Sequence, residues 1–94
     1  MKSILQERKE CYITRSREEL EEHHIYYGAT GLREISEQNG FKVWLARPLH
    51  TGYLTGIHAG NRSLDLRLKR DCQHKFEETH TRDEFVRLVG RSYL

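Results

Sequence analysis

Two cysteines, one proline, one tryptophan and no long apolar run leave this 94-residue chain without most of the usual markers of class. Cys11 and Cys72 are too few for the disulfide framework of a small secreted domain, and they exclude a zinc site built from cysteines alone. No apolar stretch approaches the roughly 18 residues that span a bilayer, so no membrane association is expected. The start, Met1-Lys2-Ser3-Ile4-Leu5-Gln6-Glu7, lacks the apolar stretch and small-residue cleavage site of a signal peptide. Together these absences predict a cytoplasmic protein with free thiols.

The formal net charge of +2 is too small to identify a partner by itself. Its distribution says more. Residues 1–22 carry five basic and six acidic groups, whereas residues 62–70 carry Arg62, Arg67, Lys69 and Arg70 against Asp65 alone. Repeats, low-complexity tracts and Ser/Gly/Pro-rich linkers are also missing, and the length allows one domain with a modest core.

Histidine is what the chain has in quantity. Four of its six histidines, His23, His24, His50 and His58, fall within residues 23–58. Imidazole can serve near neutral pH as metal ligand or as general base, so the cluster points to metal-assisted chemistry. A lone histidine would suggest a core or surface position, as expected for His74 and His80. An adjacent pair followed by two more is less easily dismissed.

Short β-prone runs at residues 11–14 and 20–26 predict a hairpin-like pair of strands. Thr30 is a candidate cap for a short helix over residues 32–38, ended by Asn39-Gly40. The alternation of Phe41, Val43 and Leu45 predicts a strand with those three facing a core, followed by a loop holding His50 and His58. Leu64, Leu68, Cys72 and Phe76 recur every four residues, which predicts a long helix from Asn61 or Ser63 to about Glu78. Arg62, Lys69 and Gln73 are expected on another face of it. Thr81-Arg82-Asp83-Glu84 matches a capping box and Gly90 a stop, giving a second, short C-terminal helix that carries Phe85, Val86, Leu88 and Val89.

This order, a strand with a His-His pair, a second strand, a histidine-bearing loop and a long helix, resembles the HNH nuclease family over roughly residues 11–78. Family members carry a His-His pair on the first strand and end the second in Leu-Cys-x-x-Cys-His; here the latter stretch is Leu45-Ala46-Arg47-Pro48-Leu49-His50. The resemblance implies an α+β domain with a ββα-metal (HNH-like) core. It also implies His23 as a metal ligand, His24 as the general base and His50 as the closing metal ligand. A narrower likeness is to small phage-encoded HNH proteins, including recombination-enhancement nucleases, and lies in the runs from Leu49-His50 to Gly56-Ile57-His58 and from Leu64-Asp65-Leu66 to Phe76-Glu77. It adds His58 as a further metal ligand.

The chain departs from the family pattern in two places. The knuckles that hold a structural zinc in many members read here Cys11-Tyr12-Ile13-Thr14 and Ala46-Arg47-Pro48-Leu49, so no structural zinc is expected and Ala46 and Leu49 are expected to fill that space. The middle asparagine falls near Phe41, with Asn39 and Asn61 as alternative substitutes.

The implied activity is a metal-dependent endonuclease hydrolysing DNA phosphodiester bonds. His24 would take a proton from water, and one divalent metal ion would rest on His23, His50 and His58. An imidazole-rich set suits zinc, nickel or manganese better than magnesium, although magnesium stays among the candidates. A neutral base predicts activity that falls as pH drops below about 6 to 6.5. Arg62, Lys69 and Arg70 are candidate phosphate contacts, and Tyr26, Tyr27, Tyr53 and Trp44 are candidates for stacking on bases. A recombination protein is a candidate partner, and a homodimer would enlarge the small surface offered to DNA. The rival expectations are a non-catalytic metal-stabilised module that binds nucleic acid or a recombination protein, and a phage inhibitor of a host protein. One geometric condition follows: neighbours on a regular strand point to opposite faces, so His23 and His24 can serve one phosphate only where the strand bulges or ends.

Overall fold

The strand expected at residues 41–45 runs one residue later, and Phe41, Val43 and Leu45 are all buried as the alternation requires. The structure is a computed structural model that describes residues 1–52 and 55–94. Tyr53, one of the stacking candidates, lies outside the described residues. Strand β1 (Leu20–His24) pairs antiparallel with β2 (Lys42–Ala46), with Glu21 opposite Leu45, Glu22 opposite Trp44, His23 opposite Val43 and His24 opposite Lys42. Directly paired residues share a face. One face therefore carries Glu21, His23, Val43 and Leu45, and the other Glu22, His24, Lys42 and Trp44.

Residues 11–14 form no strand, contrary to the sequence expectation. Arg15 is left-handed (φ 67°), its N–H donates to the Cys11 carbonyl at 2.9 Å, and Cys11 is fully buried, so the segment curls into a turn. Tyr12 N–H still donates to the Trp44 carbonyl at 2.9 Å, and Trp44 N–H donates to Gln6 Oε1 at 2.7 Å. The N-terminal segment thus covers the edge of β2 that β1 leaves free, which removes an aggregation-prone edge.

Helix α1 (Leu32–Asn39) starts at Gly31, left-handed at φ 84°, and not at Thr30; it ends at left-handed Gly40 as expected. Its buried Ser36 ties it to β1: the hydroxyl donates to the Tyr26 carbonyl at 2.8 Å and accepts from Tyr26 N–H at 3.1 Å. After β2 the expected loop is partly helical. Pro48 at the second position of a one-turn helix α2 (Arg47–His50) suits its fixed φ, and a 3₁₀ turn follows at Ile57–Ala59.

Helix α3 (Arg62–Phe76) is capped by Asn61, whose side chain accepts from Leu64 N–H at 3.2 Å. Its stripe of Leu64, Leu68, Cys72 and Phe76 is buried as the periodicity requires. Gln73 departs from expectation: it is fully buried, donating to Ser92 Oγ at 2.9 Å and accepting from Tyr93 N–H at 2.7 Å. The C-terminal tail is held there because a buried amide needs its hydrogen bonds met. Helix α4 (Arg82–Val89) has the expected capping box at Thr81 and Glu84 and the left-handed Gly90 stop. Tyr26, Phe41, Phe76 and Phe85 meet edge-on or tilted within 6.2 Å in the centre of the core. Ala46 and Leu49 pack against that core.

The result is a small α+β fold with a two-stranded sheet and several helices. No helix among the described residues is long and apolar enough to cross a membrane.

Candidate metal centre

His23 sits mid-face on the inner side of β1 and is 1% exposed. Its Nε2 is the only buried side-chain nitrogen or oxygen without a hydrogen-bond partner among the described residues. Such an orphan costs about 1–3 kcal/mol and calls for a reason. The reason lies in its neighbours. The imidazoles of His50, from the end of α2, and His58, from the 3₁₀ turn, stand with ring centroids 5.1 and 5.5 Å from that of His23. His50 Nε2 and His58 Nε2 are 3.0 Å apart, and one nitrogen from each of the three rings lies within 4.8 Å of the others. Three nitrogens around a tetrahedral zinc-sized ion stand about 3.3 Å apart, so the trio is close to a coordinating set.

The outer atoms are arranged to match. Glu21, two residues before His23, reaches His50 along the same face: His50 Nδ1–H donates to Glu21 Oε1 at 3.0 Å. Thr51 Oγ1 at 3.0 Å and Arg47 Nε at 3.3 Å also donate to that carboxylate. Glu21 is held below the usual carboxylate range, first by the His50 hydrogen bond. With Nδ1 committed, His50 presents the Nε2 lone pair inward, the arrangement by which carboxylates orient metal-binding histidines. Burial, then the neighbouring His50 and His58 rings, pushes His23 down to about 3, so His23 is a neutral ligand at any ordinary pH. Burial also lowers His58. The donor set fits a transition-metal ion.

The turn carrying His58 is fixed by close backbone contact. Gly56 N–H donates to the Gly52 carbonyl at 3.0 Å, and a Cβ at Gly56 would lie 2.7 Å from Gly52 N and 2.9 Å from the His50 carbonyl oxygen. Only glycine fits there. Asn61 adds a brace, donating from its side chain to the Thr55 carbonyl at 2.9 Å.

His24 has different company. β1 is regular through His24 and then ends, so His24 points to the outer face. His24 Nε2–H donates to Glu37 Oε1 at 3.0 Å, and Glu22 Oε1 is 3.8 Å away. Lys42, opposite His24 in the ladder, pairs with Glu37 and with Glu22 at 3.7 Å. Lys42 first, then His24, lowers Glu37 to about 2. The strand's end still lets both histidines border one space: Glu22, His23, His24, Tyr27, Arg33, His50 and His58 line a cleft of about 280 Å³. The Glu37 bond at Nε2 is the one hydrogen bond of the His24 ring among the described residues, and Nδ1 has none there.

Of the sequence candidates, then, His23, His50 and His58 come together, and His24 borders their cleft with its other nitrogen tied to Glu37. Lys69 is already occupied: its ammonium is 2.8 Å from Asp65 Oδ2 and 5.0 and 5.4 Å from the Tyr27 and Tyr93 ring centres. Arg70 donates to the Tyr93 carbonyl at 3.1 Å, and Arg62 is exposed without a partner among the described residues. Tyr26 is core, donating to the Lys69 carbonyl at 2.7 Å, and Trp44 lies on the outer face under Lys9. Neither Asn39, which donates to the Ile35 carbonyl, nor Asn61 touches His24. Sequence reasoning missed Glu21 and Glu37. Only Glu21 left a trace, at two residues before His23 and therefore on its face of a strand. Compared with family models, curated proteins and solved structures, the chain matches none.

Proposed function

We propose that this protein is a metal-dependent endonuclease that hydrolyses DNA phosphodiester bonds on a ββα-metal, HNH-like scaffold. The observation that carries the reading is that His23, whose buried Nε2 has no partner among the described residues, comes together with His50 and His58 in a cleft that His24 also borders. A divalent ion held by the three imidazoles would neutralise charge on the phosphate and on the leaving oxygen. The chain's own groups do the rest. His24, through its free Nδ1, accepts the proton of the attacking water, and Arg33, exposed at the cleft rim without an ion pair among the described residues, holds a non-bridging phosphate oxygen. Lys69 serves Asp65 and Tyr27, not DNA, while Arg62 and Arg70 remain peripheral phosphate contacts.

The test is cleavage of supercoiled plasmid and single-stranded circular DNA with zinc, nickel, manganese, magnesium or chelator. Wild type should cut in a metal-dependent way. His24→Ala should bind metal and fail to cut, whereas His50→Ala should lose both. One observation favours a second reading: His24 is turned to the outer face and bound to Glu37, which suits a non-catalytic metal-stabilised module that binds nucleic acid. DNA binding by a metal-loaded protein that never cuts would select it.

A further inference from the structure

The outer face of the sheet holds a side-chain chain with no part in the metal trio: Glu22, His24, Glu37 and Lys42. We propose that Glu37, clamped by Lys42, is the positioning residue that holds the His24 ring and keeps its proton on Nε2, leaving Nδ1 as the proton acceptor. The inference rests on the nuclease reading for its consequence, but its geometry stands apart from any metal.

Donor and acceptor counting fixes the tautomer. A carboxylate only accepts, so the imidazole nitrogen facing it must carry the proton. Glu37 Oε1 is 3.0 Å from His24 Nε2, and the neutral ring's lone pair is then on Nδ1, which has no hydrogen bond among the described residues, in a side chain that lines the same cleft as His23. Glu37 is itself fixed. Lys42 Nζ donates to its other oxygen, Oε2, and the Met1 ammonium stands 3.4 Å from that same atom. Lys42 is placed by the ladder directly opposite His24, so β1 contributes Glu22 and His24, β2 contributes Lys42 and α1 contributes Glu37. A His24 ring free to rotate about χ1 and χ2 would spend little time with Nδ1 toward a phosphate; two anchors on one carboxylate remove that freedom.

The same four residues do not read as a second cation site, although the ligand atoms of Glu22, His24 and Glu37 lie within 4.8 Å of one another. The Lys42 ammonium already lies against both carboxylates, and a divalent ion there would meet like charge.

Two readouts test the proposal on the full chain. The first is the ¹⁵N-coupled imidazole proton of His24 in metal-free protein near pH 8, where a bonded N–H is shielded from exchange with water. Wild type should show an Nε2–H resonance for His24, Glu37→Gln should retain it through its amide oxygen, and Glu37→Ala should lose it. The second is cleavage under the metal that supports it. Glu37→Ala should lower kcat about 10- to 100-fold with KM nearly unchanged, Glu37→Gln should recover most of that loss, and Lys42→Met should fall between. Because Glu37 is on a half-exposed helix face, Ala is compatible with folding there, and the spectrum of the core aromatics checks it. A His24 resonance identical in wild type and Glu37→Ala, or equal cleavage rates in the two, overturns the proposal. Wild type that fails to cut under every one of the metals overturns the nuclease reading and the catalytic consequence with it. In that case the resonance still shows separately whether Glu37 holds the ring.

Discussion

The two faces of β1 carry polar residues under opposite conditions. On the inner face, His23, His50 and His58 turn three imidazoles toward one another with too few protons and partners among them, and the most buried nitrogen is left with none. On the outer face, Glu22, His24, Glu37 and Lys42 form a closed set of charges in which each has a partner. Proteins tolerate an unsatisfied buried nitrogen only where something else supplies the energy. The inner face therefore has a ligand geometry that could take a cation from outside the chain, whereas the outer face supplies its own.

The sharpest way to break that contrast is to remove an inner ligand. His50→Ala should weaken zinc or nickel binding on the order of 1,000-fold or more, measured by calorimetry, because both an inner ligand and the Glu21 relay disappear. Gly56→Ala is next: the added methyl would meet the backbone of residues 50 and 52, and the overpacking should cost about 1–3 kcal/mol in denaturant unfolding and displace His58. Undiminished metal binding by either variant would place the cation elsewhere.

Acid should separate the faces by the pH range in which each responds. The unfolded state protonates His23 near pH 6.5, but the native state resists until about pH 3, so the metal-free protein should lose stability progressively as pH falls from about 6.5 toward 3. Urea midpoints across that range check it, and His23→Leu should flatten the upper part of the slope. Glu37, lowered to about 2, acts in the same direction but only below about 4.5, where the unfolded carboxyl begins to take its proton. Smaller effects test the supporting residues. Glu21→Gln should weaken metal binding about 10-fold while leaving the ligands in place. Arg33→Ala should raise KM for DNA a few-fold, an effect worth about 1 kcal/mol that shrinks at high salt.

Much of the fold could be read in the chain because the signals were local. The four-residue recurrence from Leu64 to Phe76, the Thr81 to Glu84 box and the alternation of Phe41, Val43 and Leu45 each state a periodicity or a cap that needs only neighbours in sequence. The turn at residues 11–14 and the burial of Gln73 escaped for the opposite reason. A β-prone run curls when a left-handed Arg15 and a buried Cys11 leave no room for pairing, and an amide looks surface-bound until Ser92 and Tyr93 return to meet it.

The candidate site divides in the same way. The residue types and their grouping were set by sequence alone: four histidines between residues 23 and 58, two of them adjacent on a strand, and glycines at 52 and 56 between the other two. Which nitrogens converge was decided by the tertiary structure. The strand's two-residue period sent His23 inward and His24 outward. The packing of α2 and the 3₁₀ turn brought His50 and His58 to the first, and α1 brought Glu37 to the second. Spacing along a chain constrains which face a side chain takes; it carries no information about what a distant element will place against that face.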